Sequence, residues 1–277
     1  MRPAEKVNKA LRYIPLYAWL IFLIVIFGYV VLASLSTTRE IFTNNLLSSG
    51  FHFENYTKVF KDTNILLYFT NSALYTAAAC LGVIVITAPA AYIMGRIELK
   101  GKKLLELMFI SALSIPGLLI SIPLFKMFIS LQLTGSIFTL IIVYICVHVP
   151  FGVFFLIGFF ASIPKELEES AVIDGCGPIK AFIKVIMPVA SPGIITLTIF
   201  NIMGIWNEYF YALIFASNPD RQPVALALQS IVVGYTNTGN YSGIFAASLL
   251  VFLPTFIVYV FVSRKIVAWI TMGAVKG

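Results

Sequence analysis

The chain has 277 residues, of which 60% are hydrophobic and 11% are charged, and its mean hydropathy is +0.95. Values this apolar exclude an ordinary soluble domain and indicate a protein that crosses a membrane several times. The net charge of +7 does not indicate nucleic-acid binding, because the basic residues are spread along the chain. Cys80, Cys146 and Cys176 lack paired spacing, so they predict no disulfide and no metal site.

Six apolar segments are long enough to cross a bilayer as helices, which takes about 20 residues. They are residues 14–35, 65–94, 104–131, 136–160, 194–216 and 242–262. The first can also be read as a signal peptide with a cleavage site near Val31–Ala33, but its apolar run exceeds the roughly 7 to 15 residues of a signal h-region. We therefore predict an all-α integral membrane protein with six transmembrane helices, in which residues 1–277 form a single domain.

Basic residues orient the predicted helices. Most of the nineteen lie in segments 2–12, 96–103, 165–184 and 264–276, which fall on one side of the membrane if the spans alternate. Because loops rich in Lys and Arg stay inside the cell, the positive-inside rule places both termini and the loop at 162–192 in the cytoplasm.

The third span contains residues that interrupt a helix. Pro116, Gly117 and Pro123 remove backbone hydrogen bonds or side-chain bulk within it. We therefore expect this span to be bent.

The central loop, residues 162–192, is polar but has the features of rigid structure. Pro164 suits the first turn of a helix, and three glutamates follow it where the helix dipole favours negative charge. Gly175 and Gly177 then permit a tight turn, and Pro178 prevents the helix from continuing. The pattern predicts a short helix ending at Gly175 and a second one over Ile179–Met187.

One face of the first loop helix is predicted to be nearly flat. Leu167, Ala171 and Asp174 recur at helical spacing, and Ser170 is also small. A flat face permits close approach of another backbone. The same local features also suit an amphipathic helix resting on lipid headgroups.

The loop resembles a known motif. Glu169, Ser170 and Ala171, then three residues, Gly175, nine residues and Val185–Pro188, match the spacing of the EAA loop in membrane subunits of ATP-binding-cassette importers. Ser170 replaces the usual second alanine. The resemblance implies a cytoplasmic coupling helix that lies parallel to the membrane and docks into a separate ATPase subunit. The residues it assigns to that contact are Glu169, Ser170, Ala171, Asp174, Gly175 and Pro188.

The fifth span carries an unusual number of polar and aromatic residues for a membrane helix. They are Asn201, Trp206, Asn207, Glu208 and Tyr211. Aromatic rings offer flat faces to sugars, and amide and carboxylate groups bind hydroxyls, so these residues are candidates for a sugar pathway. An interfacial aromatic belt with a hydrogen bond between helices is the alternative. The run from Trp206 to Phe215 resembles the fifth-helix signature of carbohydrate-importer permeases.

Two further segments resemble the maltose-type second permease. Residues 234–240 read as a polar loop on the outer side, where position implies that Tyr235, Thr236, Asn237 and Thr238 contact a binding protein; a plain connecting loop is equally consistent. The tail after Thr271 resembles the segment that inserts between two ATPase subunits, and a frayed terminus is the alternative. The implied tail contacts are Gly273, Val275, Lys276 and Gly277.

The sequence lacks a G-x-x-x-x-G-K-[ST] phosphate loop and common hydrolase motifs, so we predict no catalytic residue and no cofactor in this chain. Together with the resemblance, this predicts a multi-pass subunit of a prokaryotic sugar importer in the cell membrane. Its expected partners are a second homologous permease, two ATPase subunits that hold ATP and Mg, an extracellular or periplasmic sugar-binding protein, and lipid. A permease for glycerol phosphate or a polyamine, or a self-sufficient secondary carrier, is the alternative.

Overall fold

The computed structural model describes residues 3–274, and side chains within residues 13–261. Every long regular element in that range is an α-helix. The helices are α1 (Pro3–Ser34), α2 (Thr38–Phe42), α3 (Glu54–Asp62), α4 (Ile65–Arg96), α5 (Lys102–Ser114), α6 (Gly117–Ser130), α7 (Ile137–Ala161), α8 (Glu166–Ile173), α9 (Pro178–Ala181), α10 (Met187–Val189), α11 (Ser191–Trp206), α12 (Phe210–Phe215), α13 (Val224–Asn237) and α14 (Tyr241–Ala274).

Within the described residues, four helical segments are long and apolar enough to cross a membrane. They are Tyr13–Ser34, Ile65–Arg96, Ile137–Ala161 and Tyr241–Phe261. Two bent helix pairs pass the same test, which gives up to six spans if each pair crosses once. The predicted all-α membrane fold is therefore confirmed. Five of the six predicted segments each correspond to one long helix or to the bent pair of α5 and α6, and the fifth segment, 194–216, covers α11 and α12.

The bend predicted in the third span is present. Helices α5 and α6 meet at 100°. Ile115 has an extended backbone and Pro116 precedes the first residue of α6, so the bend lies where the residue before a proline disfavours helix. Pro123 lies inside α6, which continues through it.

The fifth span differs from its prediction as a continuous helix over 194–216. Helix α11 begins at Ser191, ends at Trp206, and is separated from α12 by Asn207–Tyr209. The segment Pro178–Val189 also joins α11 at an angle of 73°. The break after Trp206 contains no Pro or Gly, the residues that usually signal the end of a helix. The sequence therefore contains no local sign that the helix stops there.

The described chain divides into two compact units. One comprises the described residues up to Ile65 together with Leu228–Pro254. Its centre is the buried Asn55 side chain, whose Nδ2 donates to the carbonyl oxygens of Ser34 and Ser36, both at 2.9 Å. Asn55 Oδ1 accepts from Ser242 Oγ at 3.3 Å. These bonds join the end of α1, helix α3 and the start of α14.

The second unit comprises Leu66–Ala227 and the described residues from Thr255. It contains two apolar clusters. One surrounds Tyr144 and Phe215 and is built from α4, α6, α7, α11, α12 and α13. The other surrounds Phe160 and Ile186 and packs the ends of α4 and α7 against α8, the segment 178–190 and the start of α11. The second cluster packs the central loop against the ends of α4 and α7.

Candidate functional site

The central loop forms the predicted pair of short helices with a tight turn between them. Gly175 has a φ of +78°. Its N–H donates to Val172 O at 3.0 Å, and the Cys176 N–H donates to Ala171 O at 2.9 Å. This pair of bonds is the Schellman motif, which ends a helix at a residue with positive φ. Glycine adopts that conformation without steric cost, so the turn depends on Gly175.

The loop has a buried side and an exposed side. Ala171 is 3% exposed, and its helix α8 packs against α9 and the turn that follows it. Ser170 and Asp174, the other small or polar members of the predicted flat face, are exposed, so the contact of this face with another protein stays a prediction.

The exposed side of the loop is strongly apolar at its tip. Ile173 is 85% exposed and Ile179 is 76% exposed, with Val172 and Ile183 also exposed. We call this surface, together with the exposed charged residues Glu166, Glu169, Asp174, Lys180 and Lys184, the loop tip. Isoleucine side chains this exposed next to charges of both signs are typical of a protein interaction surface.

The second loop helix is interrupted. Residues Phe182–Ile186 form a π-helical turn, in which the Met187 N–H donates to Phe182 O. Pro188 follows directly, and its ring disfavours an ordinary α-turn because it collides with the carbonyl four residues earlier. Pro188 is exposed and lies in α10. The predicted second helix over Ile179–Met187 is therefore three short segments from Pro178 to Val189.

Sequence reasoning missed Arg96, which lies at the base of the loop. Its side chain is 4% exposed and its Nε donates to Glu168 Oε1 at 3.0 Å. From its position, Arg96 was counted only among the basic residues of a cytoplasmic loop. Its hydrogen-bond partners lie more than sixty residues away in the chain. No local pattern signals such a contact.

The candidate pathway residues are divided between packing and exposed positions. Glu208 lies in the break after α11, where Oε1 accepts from the Tyr211 N–H at 2.8 Å and Oε2 accepts from the Ala212 N–H at 3.0 Å. Both carboxylate oxygens thus cap the start of α12, since the first N–H groups of a helix lack partners of their own. Glu208 thus has a local role in the fold, and its predicted contact with a sugar hydroxyl stays a prediction.

The other pathway candidates have distinct surroundings. Asn207 is exposed, and its Nδ2 donates to Met203 O at 2.8 Å. Trp206 is half-buried and packs against Phe69, with ring centroids 5.9 Å apart. Asn201 is fully buried, and neither of its side-chain polar atoms has a hydrogen-bond partner among the described residues. Tyr211 is 7% exposed and its ring packs within the unit.

The outer segment differs from its prediction as a loop over 234–240. Tyr235, Thr236 and Asn237 form the last turn of α13, and Thr238 follows it. Tyr235 is 7% exposed and its hydroxyl donates to Asp62 Oδ2 at 3.4 Å. Burial and the nearby carboxylate raise the pKa of Tyr235 to about 12. Tyr235 is thus a support inside its unit, while the three residues after it are exposed.

The same unit holds a buried carboxylate. Glu40 is 5% exposed and forms a capping box with Thr37, whose N–H donates to Oε2 at 2.8 Å. Its Oε1 accepts from the hydroxyls of Ser48 and Ser49, both at 2.7 Å. Donors from Ser49, Thr37 and Ser48 hold the pKa of Glu40 far below its ordinary value.

The predicted tail contacts lie at the end of the chain. Gly273 lies near the end of α14, and Val275, Lys276 and Gly277 lie outside the described residues.

Among the described residues, no group of three or more His, Cys, Asp or Glu side chains is placed to hold a metal ion.

Residues 87–267 match a family model described as the binding-protein-dependent transport system inner membrane component. The diacetylchitobiose uptake system permease protein NgcG of Streptomyces coelicolor is 30% identical over 96% of this chain and 89% of its own length. The sulfoquinovosyl glycerol transport system permease protein SmoH of Agrobacterium fabrum is 33% identical over 80% of this chain and 78% of its own. A chain of a bacterial ABC transporter that imports the acidic polysaccharide alginate has a TM-score of 0.83 at 20% identity, covering 95% of this chain and 98% of that one.

Proposed function

Because the chain belongs to the family of binding-protein-dependent transport system inner membrane components, we propose that it forms part of the translocation pathway of an ATP-driven sugar importer. The structural observation that carries the proposal is the loop tip, a rigid apolar and charged surface at residues 166–184. The chain has no phosphate loop of its own. In this proposal energy enters through a contact with an ATPase, and the loop tip is suited to that contact.

The orientation follows from the distribution of basic residues. Both termini and the loop tip lie in the cytoplasm, as the positive-inside rule predicts. Two ATPase subunits that bind ATP and Mg dock there. The C-terminal residues Gly273, Val275, Lys276 and Gly277 reach the same ATPase pair.

Within the loop tip, different residues have different roles. Ile173 and Ile179 are buried in the ATPase cleft, while Glu169 and Asp174 form polar contacts around them. Gly175 holds the turn, the buried Ala171 lets α8 lie close to the rest of the loop, and the exposed Ser170 contacts the ATPase. Pro188 fixes the joint between the loop and α11. ATP-driven closure of the ATPases moves α8, and the membrane helices switch from inward to outward opening.

The solute pathway runs beside the break in the fifth span, between this chain and a second homologous permease. Trp206 and Asn207 contact the solute through a ring face and an amide group. Glu208 and Tyr211 shape this wall by capping and packing. A buried amide without a hydrogen-bond partner costs free energy. Asn201 therefore finds a partner in the pathway when the membrane helices open.

The solute is a sugar, most simply a disaccharide or oligosaccharide, delivered by an external binding protein. The relatives NgcG and SmoH support this class because their names describe uptake of a sugar and transport of a sugar conjugate. On the outer side, Thr236, Asn237 and Thr238 contact the binding protein, with Tyr235 as their support. Residues 1–277 act as one permease domain.

The experiment that tests the proposal compares Gly175→Trp with Gly175→Ala in the reconstituted importer. Both variants carry the same unfavourable φ, and a Cβ at this position would meet no atom within 4 Å beyond the neighbouring residues of the chain. Only the indole occupies the space of a docked partner. We expect Gly175→Trp to insert normally but to abolish transport and binding-protein-stimulated ATPase activity, while Gly175→Ala retains most of both.

A second variant pair tests the charged contacts. Glu169→Lys reverses a charge in the loop tip and should impair stimulation, whereas Lys100→Gln, at an exposed position outside it, should not. Wild-type transport by Gly175→Trp and Glu169→Lys would contradict the proposal. Transport by this chain alone, abolished by an uncoupler and indifferent to ATP, would instead support a secondary carrier.

A further inference from the structure

Arg96 is a buried cation at the junction of three helices. It is the last residue of α4, and its side chain is 4% exposed. A charged side chain is rarely buried to this extent unless it is paired and hydrogen-bonded. Its contacts therefore explain why it lies there.

The guanidinium of Arg96 forms hydrogen bonds in two directions. Toward α8, Nε donates to Glu168 Oε1 at 3.0 Å. Toward α7 and the link that follows it, Nη1 donates to the carbonyl oxygens of Phe160 and Ile163, and Nη2 donates to Pro164 O at 3.3 Å. One side chain on α4 thus contacts both of the other elements.

Three of these acceptors are backbone carbonyls in the last turn of α7 and the link that follows it. Phe160 O also accepts from the Ile163 N–H at 3.2 Å, and both residues are buried, so a further donor from Arg96 satisfies carbonyl groups that water does not reach. A cation near a helix C-terminus also interacts favourably with the dipole. Arginine is suited to this position because it has five donors in a fixed planar arrangement, whereas lysine donates from a single nitrogen.

The helices around Arg96 are packed closely enough to move together. A Cβ at the neighbouring Gly95 would lie 3.0 Å from Ile157 O, so the backbones of α4 and α7 are in close contact there. One turn earlier, the Tyr92 ring lies 5.8 Å from that of Phe160 and 4.8 Å from that of Phe182. Arg96 therefore lies at the edge of an apolar contact between α4, α7 and the loop.

We propose that Arg96 is a positioning residue that locks the cytoplasmic ends of α4 and α7 to α8, so that a displacement of α8 is passed to both membrane helices. The inference rests on the proposed function, because it assumes that an ATPase displaces α8. It adds that the loop alone does not transmit the movement. The hydrogen bonds from Arg96 to three carbonyls and one carboxylate make the loop and the two helix ends a single rigid body.

The test uses the complete importer, with the second permease, ATPases and binding protein, in lipid nanodiscs. The measurements are the amount of assembled complex, the basal ATPase rate with ATP, and the ratio of the rate with binding protein to the basal rate. The variants are Arg96→Gln, Arg96→Met, Arg96→Lys and Glu168→Gln. Lys100→Gln is the matched control, because it removes an exposed cation four residues further along the chain.

We expect Arg96→Gln and Arg96→Met to lower the stimulation ratio at least fivefold, while assembly and the basal rate stay within twofold of wild type. Arg96→Lys should be intermediate. Glu168→Gln should stay within twofold, since its amide oxygen can still accept from Nε. A purely structural role would lower assembly and leave the ratio of the assembled complex unchanged.

A wild-type ratio in assembled Arg96→Gln complexes would overturn the inference. If that variant does not assemble, assembled Arg96→Lys with an unchanged ratio would overturn it equally. Failure of the proposed function has a different signature. In that case the wild-type chain would not assemble with an ATPase, or Gly175→Trp would retain stimulation, whatever the Arg96 variants do.

Discussion

The Tyr211 hydroxyl lies directly against the Cα of Gly117, so that a Cβ on Gly117 would be 2.4 Å from the hydroxyl oxygen and 3.2 Å from Cζ. Gly117 is the first residue of α6 and Tyr211 lies in the first turn of α12. The contact therefore joins the bend of the third span to the break of the fifth. Because Tyr211 is 7% exposed, its ring has little room to move away.

Gly117→Ala should consequently destabilise the protein. Overpacking of this kind costs about 1 to 3 kcal/mol. The double variant Gly117→Ala with Tyr211→Phe removes the oxygen nearest to the new methyl group and should recover part of that loss. Thermal unfolding of the detergent-solubilised protein measures both effects, and equal melting temperatures for wild type and Gly117→Ala would show that the contact is not tight.

Glu208 should act through its cap on α12. Glu208→Ala leaves two N–H groups without their acceptor and should cost about 0.5 to 2 kcal/mol, the range for loss of a helix cap. Glu208→Gln retains one acceptor oxygen, so we expect a smaller loss of stability and substantial transport. Measurement of both stability and transport separates this role from a direct one. Abolished transport in a fully stable Glu208→Gln protein would indicate that the carboxylate binds the solute.

The buried Asn55 should be sensitive even to an isosteric change. Asn55→Asp keeps the shape but removes the Nδ2 donor to the Ser34 and Ser36 carbonyls, and loss of such a partner costs about 1 to 3 kcal/mol. Asn44→Asp, at an exposed position in the same unit, is the matched control. Unfolding midpoints of the two variants should differ by several degrees, and equal midpoints would contradict the assigned role.

Glu40 predicts a dependence of stability on pH. Its pKa is lowered from 4.5 in the folded chain, so the folded state binds fewer protons than the unfolded state as pH falls. Its contribution is complete above the unfolded pKa and is lost as pH falls through the folded one. The difference in melting temperature between wild type and Glu40→Gln should therefore be constant from about pH 8 to about pH 5.5 and shrink below about pH 4.5. A difference that grows in acid would contradict this.

Features that depend on neighbouring residues were predicted well from the sequence. The start of α8 after Pro164, the turn at Gly175 that ends it and the bend at Pro116 each depend on local backbone chemistry. The spans followed from their apolar length in the same way. The all-α class could therefore be derived from the sequence, and the predicted six spans match the upper number that the structure allows.

Features that depend on distant contacts were missed. Arg96 forms hydrogen bonds to residues of α7 and α8. Tyr235 is buried and donates a hydrogen bond to Asp62, which lies far away in the sequence. The fifth span is interrupted at Asn207–Tyr209, where Glu208 caps the start of α12. From the sequence alone, a glutamate in an apolar segment can equally be a residue of the solute pathway. These contacts depend on which residues tertiary packing brings together. The spacing of apolar residues along the sequence carries no information about such distant pairs.

The most direct test of the account is a photo-crosslink from the loop tip. Ile173 is 85% exposed, so a photoreactive residue placed there should not disturb the chain. Position 51, where Phe51 is 64% exposed, is the control on the predicted outer side. In membranes that contain the whole importer, we predict that position 173 captures the ATPase subunit, with a yield that changes on addition of ATP, and that position 51 does not. Capture of lipid alone at position 173, or labelling of that position from outside the cell, would contradict the account.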